Sequence, residues 1–353
     1  MSNSRHPIAR RTFLLAATAL GVGASQFGSQ TAASATSTVA GLGHTTAGTR
    51  HGHTATAIRS VGGFDVMALY DAAGSFFTTR QTAFPTATPA DWKAAADLDP
   101  AAFGPNDEWN LDFRCYAIRR PGGRVILVDT GVGPVGSPAS SWAPVPGHLP
   151  ERLAEAGIEV NDVDMVVLTH VHSDHIGWSV LPDGTPVFPN ARYVLQRNEV
   201  MALEAGDPAL LSYVVEPLRR TGQLWEVRGA ASLVGRSNGP AGRAGTRVRV
   251  VPTPGHTPGH QSVLVEHSRR QIAITGDVLV HAVQLVNPDV GYLYEDDQDS
   301  ARRSRKALLA EAGSRRALLA TAHLKQPFVR AAPHCHRSDS VARGTRRNGG
   351  GPD

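Results

Sequence analysis

Residues 170–175 read His-Val-His-Ser-Asp-His, a dense run of side chains able to bind metal. In an extended segment, side chains two apart point the same way, so His170 and His172 can close on one ion while Asp174 and His175 project to another side. Imidazole and carboxylate without thiolate suit zinc, and equally iron, manganese, cobalt or nickel. One such segment holds too few ligands for two closed coordination spheres, so a second ion demands more His and Asp elsewhere. Three later segments supply them: Pro254-Gly255-His256-Thr257-Pro258-Gly259-His260, Thr275-Gly276-Asp277 and Ala322-His323. Each follows an apolar run that reads as a strand, over 248–251, 271–274 and 317–320. His256 also sits in a turn fixed by Gly and Pro, where a ligand is held rigidly.

The elements that must carry these residues follow from periodicity. Residues 66–70, 113–118 and 125–128 are apolar runs bounded by turn residues such as Pro121-Gly122-Gly123, which predicts antiparallel hairpin strands. Leu149, Leu153 and Ala156 recur at helical spacing before Gly157 as a C-terminal cap, and 165–168 then reads as a buried strand leading to His170. The pattern resets with a strand over 192–195, helices between Val200 and Leu218, and short strands over 248–251, 263–265 and 272–274. An Arg-rich surface helix over 301–312 precedes a last strand over 317–320. Two β-then-α halves of similar length predict an α+β chain folded as a four-layer αβ/βα sandwich, rather than a doubly wound parallel sheet.

A hydrophobic content of 41% with 19% charged residues provides for a sizeable core and argues against wholesale disorder. The pI of about 9.3 invites a nucleic-acid reading until the charge is located. Residues 1–35 hold three arginines and no acid, and residues 329–353 hold five arginines against two aspartates, so the part between them is slightly negative. No basic face is indicated there, and no nucleic-acid partner is expected. Arg10-Arg11-Thr12-Phe13-Leu14-Leu15 opens an apolar stretch too short to span a bilayer, followed by the small residues Ala33-Ser34-Ala35. Residues 1–35 therefore resemble a twin-arginine signal, which predicts an extracellular or periplasmic protein without stable membrane insertion after cleavage. Residues 36–58, rich in Ser, Thr, Ala, Gly and His, read as a disordered linker. Residues 59–328 read as the folded domain and 329–353 as a disordered basic tail. Cys115 is expected buried in a strand and Cys335 free in the tail, with a bridge between them left open.

The order HxHxDH, GHTPGH, GD and a final AH resembles the metallo-β-lactamase superfamily over roughly residues 60–327, and Val128-Asp129-Thr130-Gly131 is similar to its first motif. The resemblance implies His170, His172 and His256 on one divalent ion, Asp174, His175 and His323 on a second, and Asp277 bridging both. Zinc is the expected metal. It further implies that Asp129 supports the ligands from behind; among the remaining histidines His260 is the one read as a support of the same kind, and Asp174 could also orient a metal-bound hydroxide. Flavodiiron-type relatives carry Glu where His172 stands, and true β-lactamases of the superfamily generally lack the Asp that follows Gly276. The quorum-signal lactonases carry Tyr where Val280 stands. Gly276-Asp277-Val278-Leu279-Val280-His281-Ala282-Val283-Gln284, with Trp178, looks more like the branch containing methyl parathion hydrolase.

What this implies is an exported dinuclear hydrolase of an ester-like small molecule, a lactone, carboxyl ester or phosphotriester. Trp178, with Phe76, Phe77 or Trp109, is a candidate lining of an apolar leaving-group pocket; His281 could donate to a substrate oxygen or brace Asp277. The chain runs from His323 straight toward the basic tail, so the second ion is expected to be less enclosed than in relatives. Two other classes compete: a mononuclear iron sulfur dioxygenase, and an exported protein that holds metal without catalysis. Oligomeric state is left open.

Overall fold

The computed structural model describes residues 56–235 and 245–331. Strand β4 (Val125–Val128) shows how its layers arise, because all four residues are buried but on alternate faces. Val125 and Leu127 join a core with Leu149, Leu153, Val200 and Leu218, while Ile126 and Val128 join one with Val248, Val263, Val265 and Ile272. A strand covered on both faces reads as an unbroken apolar run, which is why this one is legible in the sequence.

The first sheet has seven strands in chain order: β1 (Ile58–Val61), β2 (Phe64–Ser75), β3 (Asn110–Arg119), β4, β5 (Val163–Val167), β6 (Arg192–Gln196) and β7 (Leu224–Val227). Pairing is antiparallel from β1 to β4 and parallel from β4 to β7. The second sheet has six, in the order β13-β12-β11-β10-β9-β8: β8 (Ala231–Val234), β9 (Arg247–Pro252), β10 (Gln261–His267), β11 (Arg270–Ile274), β12 (Leu318–Ala320) and β13 (Phe328–Arg330). Among the described residues only β11 and β12 pair in parallel there.

Valines and isoleucines from both sheets meet face to face in the central core. The outer face of the first sheet is covered by helices Leu149–Glu155, Arg197–Gly206 and Glu216–Arg220, and that of the second by the helix Gln298–Arg315 through Leu308, Leu309 and Ala312. This is the expected αβ/βα sandwich. The long helix extends beyond the predicted 301–312 because Asp297 caps it, its carboxylate accepting from the N–H groups of Asp299 and Ser300.

Some expectations fail at the edges. Helix Pro89–Leu98, fixed by a reciprocal cap between Thr88 and Asp91, has no strong apolar period and is not evident from the sequence. Strand β13 pairs with β12 past the expected domain end at 328. Cys115 is buried in β3 as expected, whereas Cys335 lies outside the described residues, as do the signal-like segment, most of the linker and the tail from 332. Among the described residues no helix is long and apolar enough to cross a membrane.

Candidate metal centre

Five strand ends converge. Asp129 follows β4, His170 to His175 follow β5, His256 follows β9, Gly276-Asp277 follow β11 and His323 follows β12. They bring together two groups of potential ligand atoms: His170, His172, His256 and Asp277 in one, and Asp174, His175 and His323 in the other. In the first, His172 Nδ1 lies 3.0 Å from His170 Nε2 and 2.9 Å from His256 Nε2. Asp277 Oδ2 stands 3.2 Å from His256 Nε2 and 3.8 Å from His170 Nε2. Its other oxygen, Oδ1, faces the second group, 3.3 Å from His175 Nε2 and 3.2 Å from His323 Nε2. Asp174 Oδ2 completes that group at 3.4 Å from His175 Nε2 and 3.6 Å from His323 Nε2. One carboxylate thus presents an oxygen to each cluster.

The donor set fits cations. The inward nitrogens lie about 3 Å apart, the spacing taken by ligands roughly 2.0–2.1 Å from a shared ion. Buried and crowded by His175 and His172, His170 is held well below the ordinary imidazole range, and His172 is pushed down to about 3 by burial and His256. Burial alone would raise Asp277, but His175, His323 and His256 hold its carboxyl well below the usual value. Buried His175 Nε2 and Asp277 Oδ1 have no hydrogen-bond partner among the described residues. A buried acceptor without a donor is costly, and a divalent ion removes that cost.

The outward nitrogens are fixed from behind. His175 Nδ1 donates to Asp129 Oδ2 at 2.9 Å, and Asp129 also accepts from Thr169 N–H at 2.7 Å and Thr169 Oγ1 at 2.9 Å. His323 Nδ1 donates to the Asp112 carbonyl at 2.9 Å. His260 Nε2 accepts from the Asp277 N–H at 2.9 Å, which sets His260 behind Asp277. Gly276 has φ +53°, and a Cβ there would lie 2.7 Å from His260 Nε2; glycine meets both demands. His323 is buried despite the expected openness, because β13 closes the sheet beyond it and Tyr116 donates to the Thr321 and Pro327 carbonyls on either side.

Two expected residues lie elsewhere. Trp178 packs against the apolar layer beneath the first sheet, with Ile176, Val180 and Tyr193, rather than among the rings around the histidines. His281 is enclosed by Phe84, Trp92, Phe103 and Trp109 at centroid distances of 5.3, 5.5, 5.4 and 5.5 Å. Its Nδ1 accepts from the Val283 N–H at 3.0 Å, capping a short helix, so Nε2 carries the proton and faces rings. It makes no contact with Asp277 among the described residues.

An aromatic wall occupies the position expected for Trp178. Tyr292 stacks on His256 at 5.9 Å and 11°, Phe113 meets His323 edge-on at 5.8 Å, and Trp142 Nε1 donates to Ser173 Oγ at 2.9 Å. Phe76 joins them, touching Trp142 at 5.9 Å, Tyr294 at 5.7 Å and Trp109 at 4.7 Å, and half-exposed Phe77 forms the rim. Trp142, Tyr292 and Tyr294 come from segments without periodicity, so only their aromatic character could have signalled them.

The chain belongs to the metallo-beta-lactamase superfamily, whose model matches residues 114–323. Among curated proteins it is 33% identical over 146 residues to a probable metallo-hydrolase of Mycobacterium tuberculosis, a match spanning 37% of this chain and 41% of that protein. It is 25% identical over 228 residues to an N-acyl homoserine lactonase of a Bacillus species, covering 59% of this chain and 80% of the lactonase. Among solved structures, the hydrolase AbOPH of the beta lactamase superfamily superposes with a TM-score of 0.62 at 21% identity, over 78% of this chain and 92% of the other. AidC, a dizinc quorum-quenching lactonase, does so with a TM-score of 0.57 at 22% identity, over 77% and 91%. The structural likenesses establish the fold.

Proposed function

We propose that the chain is an exported dinuclear zinc hydrolase that cleaves an ester-like small molecule: a lactone, a carboxyl ester or a phosphotriester. The observation that carries this reading is the Asp277 carboxylate, with one oxygen toward each ligand group. His170, His172, His256 and Asp277 would hold one ion, and Asp174, His175, His323 and the same Asp277 the other. Such a pair, when bound, supplies a water of lowered pKa and a Lewis acid that polarises the oxygen of the bond under attack.

The chain's own residues do the rest. Asp174, at the inner edge of the second group, would orient the attacking water. Tyr292 stacks on His256, which brings its phenol beside the first ligand group. Burial, then Asp277 and Asp174, hold that phenol well above its ordinary value, so it stays protonated and can donate to an oxygen on which charge develops. Phe76, Phe77, Trp142 and Tyr294 would receive an apolar leaving group or acyl chain and exclude water.

Export rests on the twin-arginine-like segment at residues 10–15, and residues 59–328 are proposed as the catalytic domain. The test is zinc reconstitution of the full chain, followed by metal analysis and a panel of aryl esters, lactones, phosphotriesters and thioesters. Two zinc ions per chain and hydrolysis in the panel are expected, with both lost on chelation. One ion or fewer per chain would sink the dinuclear reading; oxygen consumption on a persulfide by an iron-loaded form would replace it with the dioxygenase.

A further inference from the structure

Glu199 is a buried carboxylate that the proposed reaction does not use. It lies in the first turn of the helix Arg197–Gly206, where the helix dipole favours negative charge. Its two oxygens reach different loops. Oε1 accepts from the N–H of Val171, the residue between His170 and His172, at 2.9 Å. Oε2 accepts from Thr257 Oγ1 at 2.7 Å and from the Gly259 N–H at 2.8 Å, on the loop that carries His256. The approach is close: a Cβ at position 259 would lie 2.1 Å from the Glu199 backbone nitrogen, so glycine is required there. Burial raises the Glu199 carboxyl, and the Val171, Thr257 and Gly259 donors oppose that shift.

We infer that Glu199 is a positioning residue, a single carboxylate that sets the loop of His170 and His172 against the loop of His256 and so fixes the spacing of the first ligand group. The three histidines come from strands β5 and β9, which lie in different sheets; behind the ligands, Gln261 ties the strand ends through its N–H to the Thr169 carbonyl at 2.9 Å and its amide to the Leu168 carbonyl at 2.8 Å. Farther out, at the ligand-bearing loops themselves, the Glu199 carboxylate adds the tie between Val171 and Thr257-Pro258-Gly259 through N–H and hydroxyl donors. Charge-assisted bonds to buried N–H groups are strong, and both loops depend on the same acceptor. The inference rests on the reading that the first group holds a metal, but its geometric core does not.

Glu199→Gln tests it. The amide keeps one accepting oxygen, and its NH2 must then oppose either Val171 N–H or Gly259 N–H. Zinc affinity of the first group should fall about 10- to 100-fold, as when a ligand's outer support is removed, while that of the second group is kept. In metal-free full-length protein, the Val171 and Gly259 amides should exchange hydrogen faster together. Thr257→Val removes one donor and leaves the carboxylate, and should weaken the first group by a smaller factor; it decides the matter if Glu199→Gln does not fold. Unchanged zinc affinity in the folded variants, equal losses at both groups, or unchanged exchange at both amides in Glu199→Gln would overturn the inference. If wild-type protein binds no zinc at the first group, the metal reading fails instead, and the exchange experiment still judges Glu199.

Discussion

Asp129→Asn should cost the second ligand group its metal while sparing the first. Asp129 accepts from the Thr169 N–H and Oγ1, and His175 Nδ1, 2.9 Å from Asp129 Oδ2, donates to the same carboxyl group, which turns Nε2 toward Asp174 and Asp277. Asparagine has two ways to fit. With its oxygen toward the Thr169 N–H, its NH2 donates to His175 Nδ1 and drives the proton to Nε2, the atom that must bind metal. Flipped, it preserves the His175 tautomer but sets NH2 against a buried backbone N–H, which costs about 1–3 kcal/mol. Either orientation predicts a loss of about 1.4–2.7 kcal/mol in binding, or roughly 10- to 100-fold in affinity, the range found when a ligand's hydrogen-bond partner is removed. Zinc titration against a competing chelator would resolve two affinities, and ring-nitrogen NMR of His175 would report the tautomer. Two wild-type affinities in the variant, or a loss confined to the first group, would refute the argument from tautomer control.

Two further perturbations probe parts that do not bind metal. Asp71 is fully buried, its oxygens accepting from the N–H groups of Val132 and Leu149 at 2.7 Å each, and burial pushes its carboxyl up to about 6 from 3.8. Because the folded chain then holds this proton more tightly than the unfolded chain, the stability it contributes is full below about pH 3.8 and is lost as pH rises through about 6. That difference is worth about 3 kcal/mol, so the stability advantage of wild type over Asp71→Asn should shrink by about that much between roughly pH 3.5 and 6.5; parallel urea-melt profiles would exclude it. Tyr292→Phe removes only the hydroxyl above His256, and kcat should fall about 10-fold or more with zinc content and KM nearly unchanged. A change in KM alone would assign the tyrosine to binding.

Which of these residues could be read from the sequence follows from how each one acts. His170, His172, Asp174, His175, His256, Asp277 and His323 are legible because each lies three to eight residues past an apolar strand, and strand ends gather at one edge of a layered fold. Direction was not legible. His281 and Trp178 lie within four residues of ligands, yet one turns into an aromatic box and the other into the lower core, since adjacency in sequence does not say which way a loop residue faces. Strand β13 is only three residues long and follows the polar Lys325-Gln326-Pro327, so its closure over His323 depends on pairing with β12 rather than on its own composition. Asp71 and Glu199 did leave a trace. Asp71 is an acid within the largely buried strand β2, and Glu199 is buried in its helix beside Val200 and Leu203. A buried carboxylate is costly unless several donors converge on it, so an acid in an apolar pattern implies loops whose N–H groups have nowhere else to go. For Glu199 those loops are the ones that carry His170, His172 and His256, whereas Asp71 gathers the segment from Val132 to Leu149, so an acid out of pattern points first to a buried loop junction and only its partners say whether a candidate metal centre is held there.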